Sequence, residues 1–117
     1  MSGSPQASSE LSTAQRLGLW LAAVRGPAAA HRAAARLRAA GHHQAAFRLD
    51  AGAARAGLPA AQYWIGRSYL EGTGVPPSPA DGARWLAQAA GAEHTEAQAL
   101  LAAFYLRGAR RSAGRPR

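Results

Sequence analysis

Residues 65–90 read IGRSYLEGTGVPPSPADGARWLAQAA, and within them Gly72-Thr73-Gly74-Val75-Pro76-Pro77-Ser78-Pro79 gathers nearly every residue type that stops a helix. The flanks differ, being rich in the alanine and arginine that favour helices. Two readings compete: a glycine loop that cradles a ligand, or a turn that joins two helices. A phosphate-binding loop needs a strand before it and a G-K-[ST] at its end, and neither is present. The turn reading accounts for each residue. Gly72 and Gly74 reach backbone angles closed to other residues and so end a helix. Val75 is a single apolar residue to tuck beneath the turn. Ser78 is a good N-cap, and Pro79 suits the first helical position. Asp81 sits where a carboxylate reaches back to the cap and faces the positive end of the helix dipole. Together they stop one helix, turn the chain and start another.

The same punctuation continues on both sides. Ser12 followed by Gln15 forms a capping box, after which Leu17, Trp20, Leu21 and Val24 mark one face of a first helix. Gly26 ends it and Pro27 opens a second, about 27–40, built almost wholly of alanine and arginine. Further helices are expected over about 43–56, 60–71, 79–91 and 95–107, separated by glycines and caps. No segment alternates as a strand does. The fold class is all-α.

Residues 53–72 repeat in residues 89–108 at a constant offset of 36 without a gap. Ala61 matches Ala97, Gln62 matches Gln98, Ile65 matches Leu101, Gly66 matches Ala102, Tyr69 matches Tyr105 and Gly72 matches Gly108. A period in the thirties belongs to solenoids of helical hairpins, in which each unit buries its apolar face on its neighbours.

On these residues the chain resembles the Sel-1-like repeat family, relatives of the tetratricopeptide repeat. Ala61, Gln62, Ile65, Gly66, Tyr69, Gly72, Gly74, Val75, Trp85, Ala89 and Ala90 stand at positions of the family pattern, with Ser78 in place of its usual aspartate. The best-matched repeat is 61–93, inside a helical domain 12–107 that holds about six helices, or about three antiparallel hairpins. Residues 1–11 are expected to be disordered, and 108–117 to form a disordered basic tail. Three details follow from the comparison. Gly82 stands where alanine is usual and should weaken its helix by about 1 kcal/mol. Glu93 replaces the closing glycine, so that helix end should turn less sharply. Gly66 and Ala102 lack bulk and should let adjacent helices approach, with Trp85 as the largest knob near the hairpin.

Composition narrows the function. The 117 residues form one domain at most, and much of the 48% hydrophobic content is alanine, which buries little area. Large core side chains are therefore few: Trp20, Trp64, Trp85, Tyr69, Phe47, Phe104 and Tyr105. All 14 basic residues are arginine and the net charge is +8. The arginines are spread along helices and crowded at the C-terminal end, which reads as a solvated surface with a basic tail. Without cysteine, disulfides and thiolate metal sites are excluded. The longest apolar run, residues 17–24, is too short to span a bilayer, and the polar segment before it lacks the basic start of a signal peptide. The compartment reads as cytoplasmic, with secretion not excluded.

The resemblance implies a non-catalytic scaffold or adaptor that binds another protein or peptide, with no cofactor, metal or membrane. Tyr63 and Arg67, one turn apart and off the face of Ile65 and Tyr69, are candidate partner contacts. Leu101, Phe104 and Tyr105 form a second candidate patch, since their helix has no hairpin partner after it, and self-association through this C-terminal helix would cover them. The alternative function is a nucleic-acid-associated helical protein acting through its arginines and tail. Catalysis finds no support: Asp50 and Asp81 are the only aspartates, and the adjacent His42 and His43 point in different directions.

Overall fold

The computed structural model describes residues 10–114 as six helices: α1 (Thr13–Val24), α2 (Pro27–Ala39), α3 (His43–Arg55), α4 (Pro59–Glu71), α5 (Pro79–Gly91) and α6 (Thr95–Gly114). No strand occurs among the described residues. Each helix packs on its neighbours in the chain, most extensively α4 on α5 and α2 on α3. The result is an α-solenoid of antiparallel hairpins. It extends 58 × 39 × 16 Å with a radius of gyration of 16.6 Å, against about 13 Å for a compact domain of this length. Units that touch only their neighbours produce such a flat, elongated body.

The helix starts follow the sequence closely. Ser12 Oγ accepts from the Gln15 amide at 3.1 Å while Gln15 Oε1 accepts from the Ser12 amide at 2.7 Å. At α5 the Ser78 hydroxyl accepts from the Asp81 amide at 3.4 Å and donates to Asp81 Oδ2 at 2.8 Å. That donated hydrogen bond, and after it the Arg84 guanidinium, hold the Asp81 carboxyl below its ordinary pKa. Between the helices, Gly72 and Gly74 take φ of 71° and 78°. A Cβ on Gly74 would lie 2.4 Å from the His43 carbonyl oxygen. The loop thus lies directly on the first turn of α3 and is a packing element.

The offset of 36 holds at the level of single hydrogen bonds. Gln62 Nε2 donates to the Ala54 carbonyl at 3.2 Å, and Gln98 Nε2 to the Ala90 carbonyl at 3.1 Å. Each glutamine of the repeat ties its helix to the end of the helix before it. The amides of Leu58 and His94 donate to Ala53 and Ala89 at 3.1 Å in both cases, closing equivalent helix ends. Gly57 occupies the left-handed position of the first with φ 97°, and Glu93 that of the second with φ 65°. The expectation of a less sharp turn at Glu93 is therefore corrected. The turn is the same, made by a residue whose Cβ disfavours it.

The α4/α5 crossing also revises two expectations. A Cβ on Gly66 would stand 2.7 Å from Leu86 Cγ and 3.0 Å from the Gly82 carbonyl oxygen, and one on Gly82 would stand 2.9 Å from the Gly66 oxygen. Gly82 is not a defect in its helix, because two backbones meet at this point. The knob beside it is Leu86, fully buried, whereas Trp85 is half-buried and packs on the opposite cluster with Phe47 and Tyr69. Ala102, expected at an equivalent approach, is exposed.

The ends depart most from expectation. Leu17, Trp20, Leu21 and Val24 were the expected core face of α1, yet all four are exposed, Trp20 at 61%, and only Ala22 is buried in that helix. A 3.6-residue period identifies an apolar face but supplies no neighbour to cover it. Leu11 and Leu19 instead rest half-buried on the cluster of Ala34, Leu37 and Ala46. At the other end α6 continues through Gly108, which lacks the positive φ of a stop, to Gly114. The expected tail is thus helical over 108–114, while residues 115–117, like residues 1–9 of the expected disordered N-terminal segment, lie outside the described residues.

Candidate interaction face

The first helices of successive units, α2, α4 and α6, are joined by a continuous run of polar and aromatic side chains. It begins at Asp50 on α3. Its carboxylate is fully buried, with Oδ1 2.7 Å from His31 Nδ1 and Oδ2 accepting from Arg38, both on α2. A buried carboxylate is tolerated only when its lone pairs are met, and among the described residues every buried side-chain nitrogen and oxygen has a partner. Arg38 then leans across to α4, its guanidinium carbon 4.0 Å from the centre of the Trp64 ring.

Arg67 stands over the same indole at 4.5 Å. It donates to Glu71 Oε2 at 3.0 Å and to the Tyr63 hydroxyl at 3.4 Å. Burial acts to lower the Arg67 pKa, but the hydrogen bonds to Glu71 and Tyr63 outweigh it and the net direction is upward. The Tyr63 ring stacks on His94 at 4.9 Å and meets Trp64 edge-on at 5.6 Å. His94 Nδ1 accepts from the Ala97 amide at 3.1 Å and so starts α6. Trp64 is the hub, an indole under two cations each tied to a carboxylate. Such cation–π contacts are worth about 0.5–2 kcal/mol each.

Of the expected contacts, Arg67 is half-exposed and takes part in this face, but Tyr63 is 8% exposed and buried between α4, α5 and α6. It lies beside Arg67, but its ring is not available at the surface. Leu101 and Phe104 are half-buried, and Tyr105 is 58% exposed with its ring 5.7 Å from that of Phe104. Leu101 packs against the same buried cluster as Trp64, whereas Phe104 and Tyr105 are not part of it. His31, Arg38, Asp50 and Trp64 were missed as a site. One signal existed: Asp50 lies on the same helical stripe as Ala46, Ala53 and Ala54, so a carboxylate stood among small core positions.

The arrangement offers little chemistry. Asp50 is saturated by the Arg38 guanidinium and the His31 ring, and no cluster of metal-ligating side chains occurs among the described residues. A groove of about 1170 Å³ lies elsewhere, between α1, the start of α3 and the Gly72–Pro76 loop, and holds Arg16, His42, His43 and Arg48 without an organised polar constellation. No helix among the described residues is long and apolar enough to cross a membrane.

The family model described as the Sel1 repeat matches residues 59–94 and 95–116, the first match bracketing α4 and α5 and the second following α6. This chain belongs to the Sel1 repeat family. A solved structure, that of a Sel1 repeat protein from Oxalobacter formigenes, is similar at 32% identity and a TM-score of 0.64. The likeness covers 71% of this chain and 66% of that one, so the chain spans just under two thirds of the relative's length. No curated protein matches. Sel1 repeats generally form protein-interaction scaffolds and are typically non-catalytic.

Proposed function

We propose that this Sel1 repeat chain is a non-catalytic adaptor that holds a segment of another protein on the face formed by α2, α4 and α6, with Trp64 as its anchor. The observation that carries the reading is the Trp64 indole fixed beneath Arg38 and Arg67. Large aromatic and arginine side chains held rigid before binding lose little entropy on contact, and they dominate the energetics of many interfaces. The chain's net charge of +8 favours a partner segment that carries carboxylates beside an apolar or aromatic side chain. Leu100 of α6, packed on the same cluster as Trp64, extends the face toward the next unit.

Co-purification from the native host tests this. Arg67→Ala removes a half-exposed ion pair and one cation–π contact and should lower stability by no more than about 2 kcal/mol, while lowering the amount of retained partner several-fold. Trp64→Ala should abolish retention. Partner retained undiminished by both variants overturns the assignment of this face.

A further inference from the structure

The two ends of the solenoid carry the two halves of a hairpin interface. In the α4/α5 hairpin, α5 buries Gly82, Leu86 and Ala89. The segment Trp20-Leu21-Ala22-Ala23-Val24-Arg25-Gly26 echoes Trp85-Leu86-Ala87-Gln88-Ala89-Ala90-Gly91, which sets Leu17, Leu21 and Val24 of α1 at the positions of Gly82, Leu86 and Ala89. These three are exposed, at 58%, 38% and 62%. On the opposite partner, α4 meets α5 through Tyr63, Gly66 and Leu70. The offset of 36 sets Ala99, Ala102 and Leu106 of α6 at those positions, and these too are exposed, Leu106 at 63%. Among the described residues α6 is a first helix without its second, and α1 is a second helix without its first.

We propose that copies of this chain stack head to tail, α1 of one copy lying on α6 of the next as α5 lies on α4. Side-chain sizes at the two ends are complementary under that register. Where the hairpin sets large Tyr63 near small Ala89, the stack sets small Ala99 near large Val24. Where Gly66 receives Leu86, Ala102 receives Leu21. Leu17 and Ala102 replace the two crossing glycines, so α1 and α6 sit farther apart than α4 and α5, within the ordinary range of helix packing. A second copy is favoured as occupant because both halves of the interface are present on one chain in one register. The contact is heterologous, so each added copy presents a fresh end and assembly does not stop at a dimer. It also covers the apolar ends that an open solenoid leaves exposed. Each copy carries a charge of +8, so repulsion opposes stacking and added salt strengthens it, the reverse of binding driven by opposite charge.

Sedimentation of the full chain across concentration and salt, with two complementary variants, tests the proposal. Val24→Glu blocks the α1 end and Leu106→Glu the α6 end. Both sites are exposed, so far-ultraviolet circular dichroism should be unchanged, and Ala102→Glu serves at the α6 end if Leu106→Glu loses helix. The wild type should form a concentration-dependent series that shifts to longer species with salt. Each variant alone should be monomeric, and the mixture should recover a one-to-one complex through the two intact ends. Because the chain has no cysteine, Leu21→Cys mixed with Ala102→Cys should give the mixed disulfide in preference to either symmetric one. A wild type monomeric up to its solubility limit overturns the proposal, as does either blocked variant dimerising alone or a mixture that stays monomeric.

Discussion

The α4/α5 hairpin and the end helices α1 and α6 carry the same apolar register, yet the first buries what the others expose. Leu86 is fully buried, whereas Leu21, its counterpart on α1, is 38% exposed. The difference lies in the neighbour and not in the helix. In the hairpin, Gly66 and Gly82 bring two backbones together and the side chains around them close the gap. At the ends the same pattern has no second helix among the described residues. In a solenoid, burial is a property of position in the stack, and a residue's contribution changes with what stands beside it.

The largest expected effect separates the two regions at equivalent residues. Leu86→Ala should cost about 3–4 kcal/mol, as a leucine removed from a packed site leaves a cavity. Leu21→Ala should cost less than about 1 kcal/mol at concentrations where the chain is monomeric. Equal losses in chemical denaturation would break the comparison. Next, Asp50→Ala should cost about 2–3 kcal/mol, since it strands Arg38 and His31 beside a buried gap; the contact both side chains keep with solvent holds the loss at or below the range for a fully buried pair. Gly82→Ala sharpens the reading of the crossing. Helix propensity alone predicts a gain of about 1 kcal/mol, but the added Cβ meets the Gly66 carbonyl and a net loss of about 1–2 kcal/mol is expected. A higher melting temperature for Gly82→Ala would mean that the helices do not touch there. The smallest effect has the opposite sign: Glu93→Gly should raise stability by about 0.5–1 kcal/mol by relieving the left-handed strain, read as a rise in the denaturation midpoint.

Much of the fold was legible because its signals are local. Ser12, Ser78, Pro79 and Gly72 stop and start helices by their own chemistry, and the structure places those boundaries where the residues put them. The repeat of Gln62 in Gln98 is local in the same sense, each glutamine reaching a carbonyl eight residues earlier. What was not legible depends on a partner. The apolar stripe of Leu17, Trp20, Leu21 and Val24 reads as a core face whether or not a helix lies on it. Gly82 reads as a weak helix residue until Gly66 is seen against it. Tyr63 reads as surface from its angle on α4, because α5 and the start of α6 close over it only once the helices are stacked. The Trp64 face was hidden for the same reason. Arg38, Asp50 and Trp64 lie far apart in sequence on three helices, and only their packing makes them one cluster.

Native-state hydrogen exchange at a protein concentration that keeps the chain monomeric tests the central contrast most directly. If burial follows position in the stack, the amides of α4 and α5 should exchange only through the largest opening, and those of α1 and of the last turns of α6 should exchange through much smaller ones. Protection in α1 equal to that in α4 and α5 under those conditions would contradict the account.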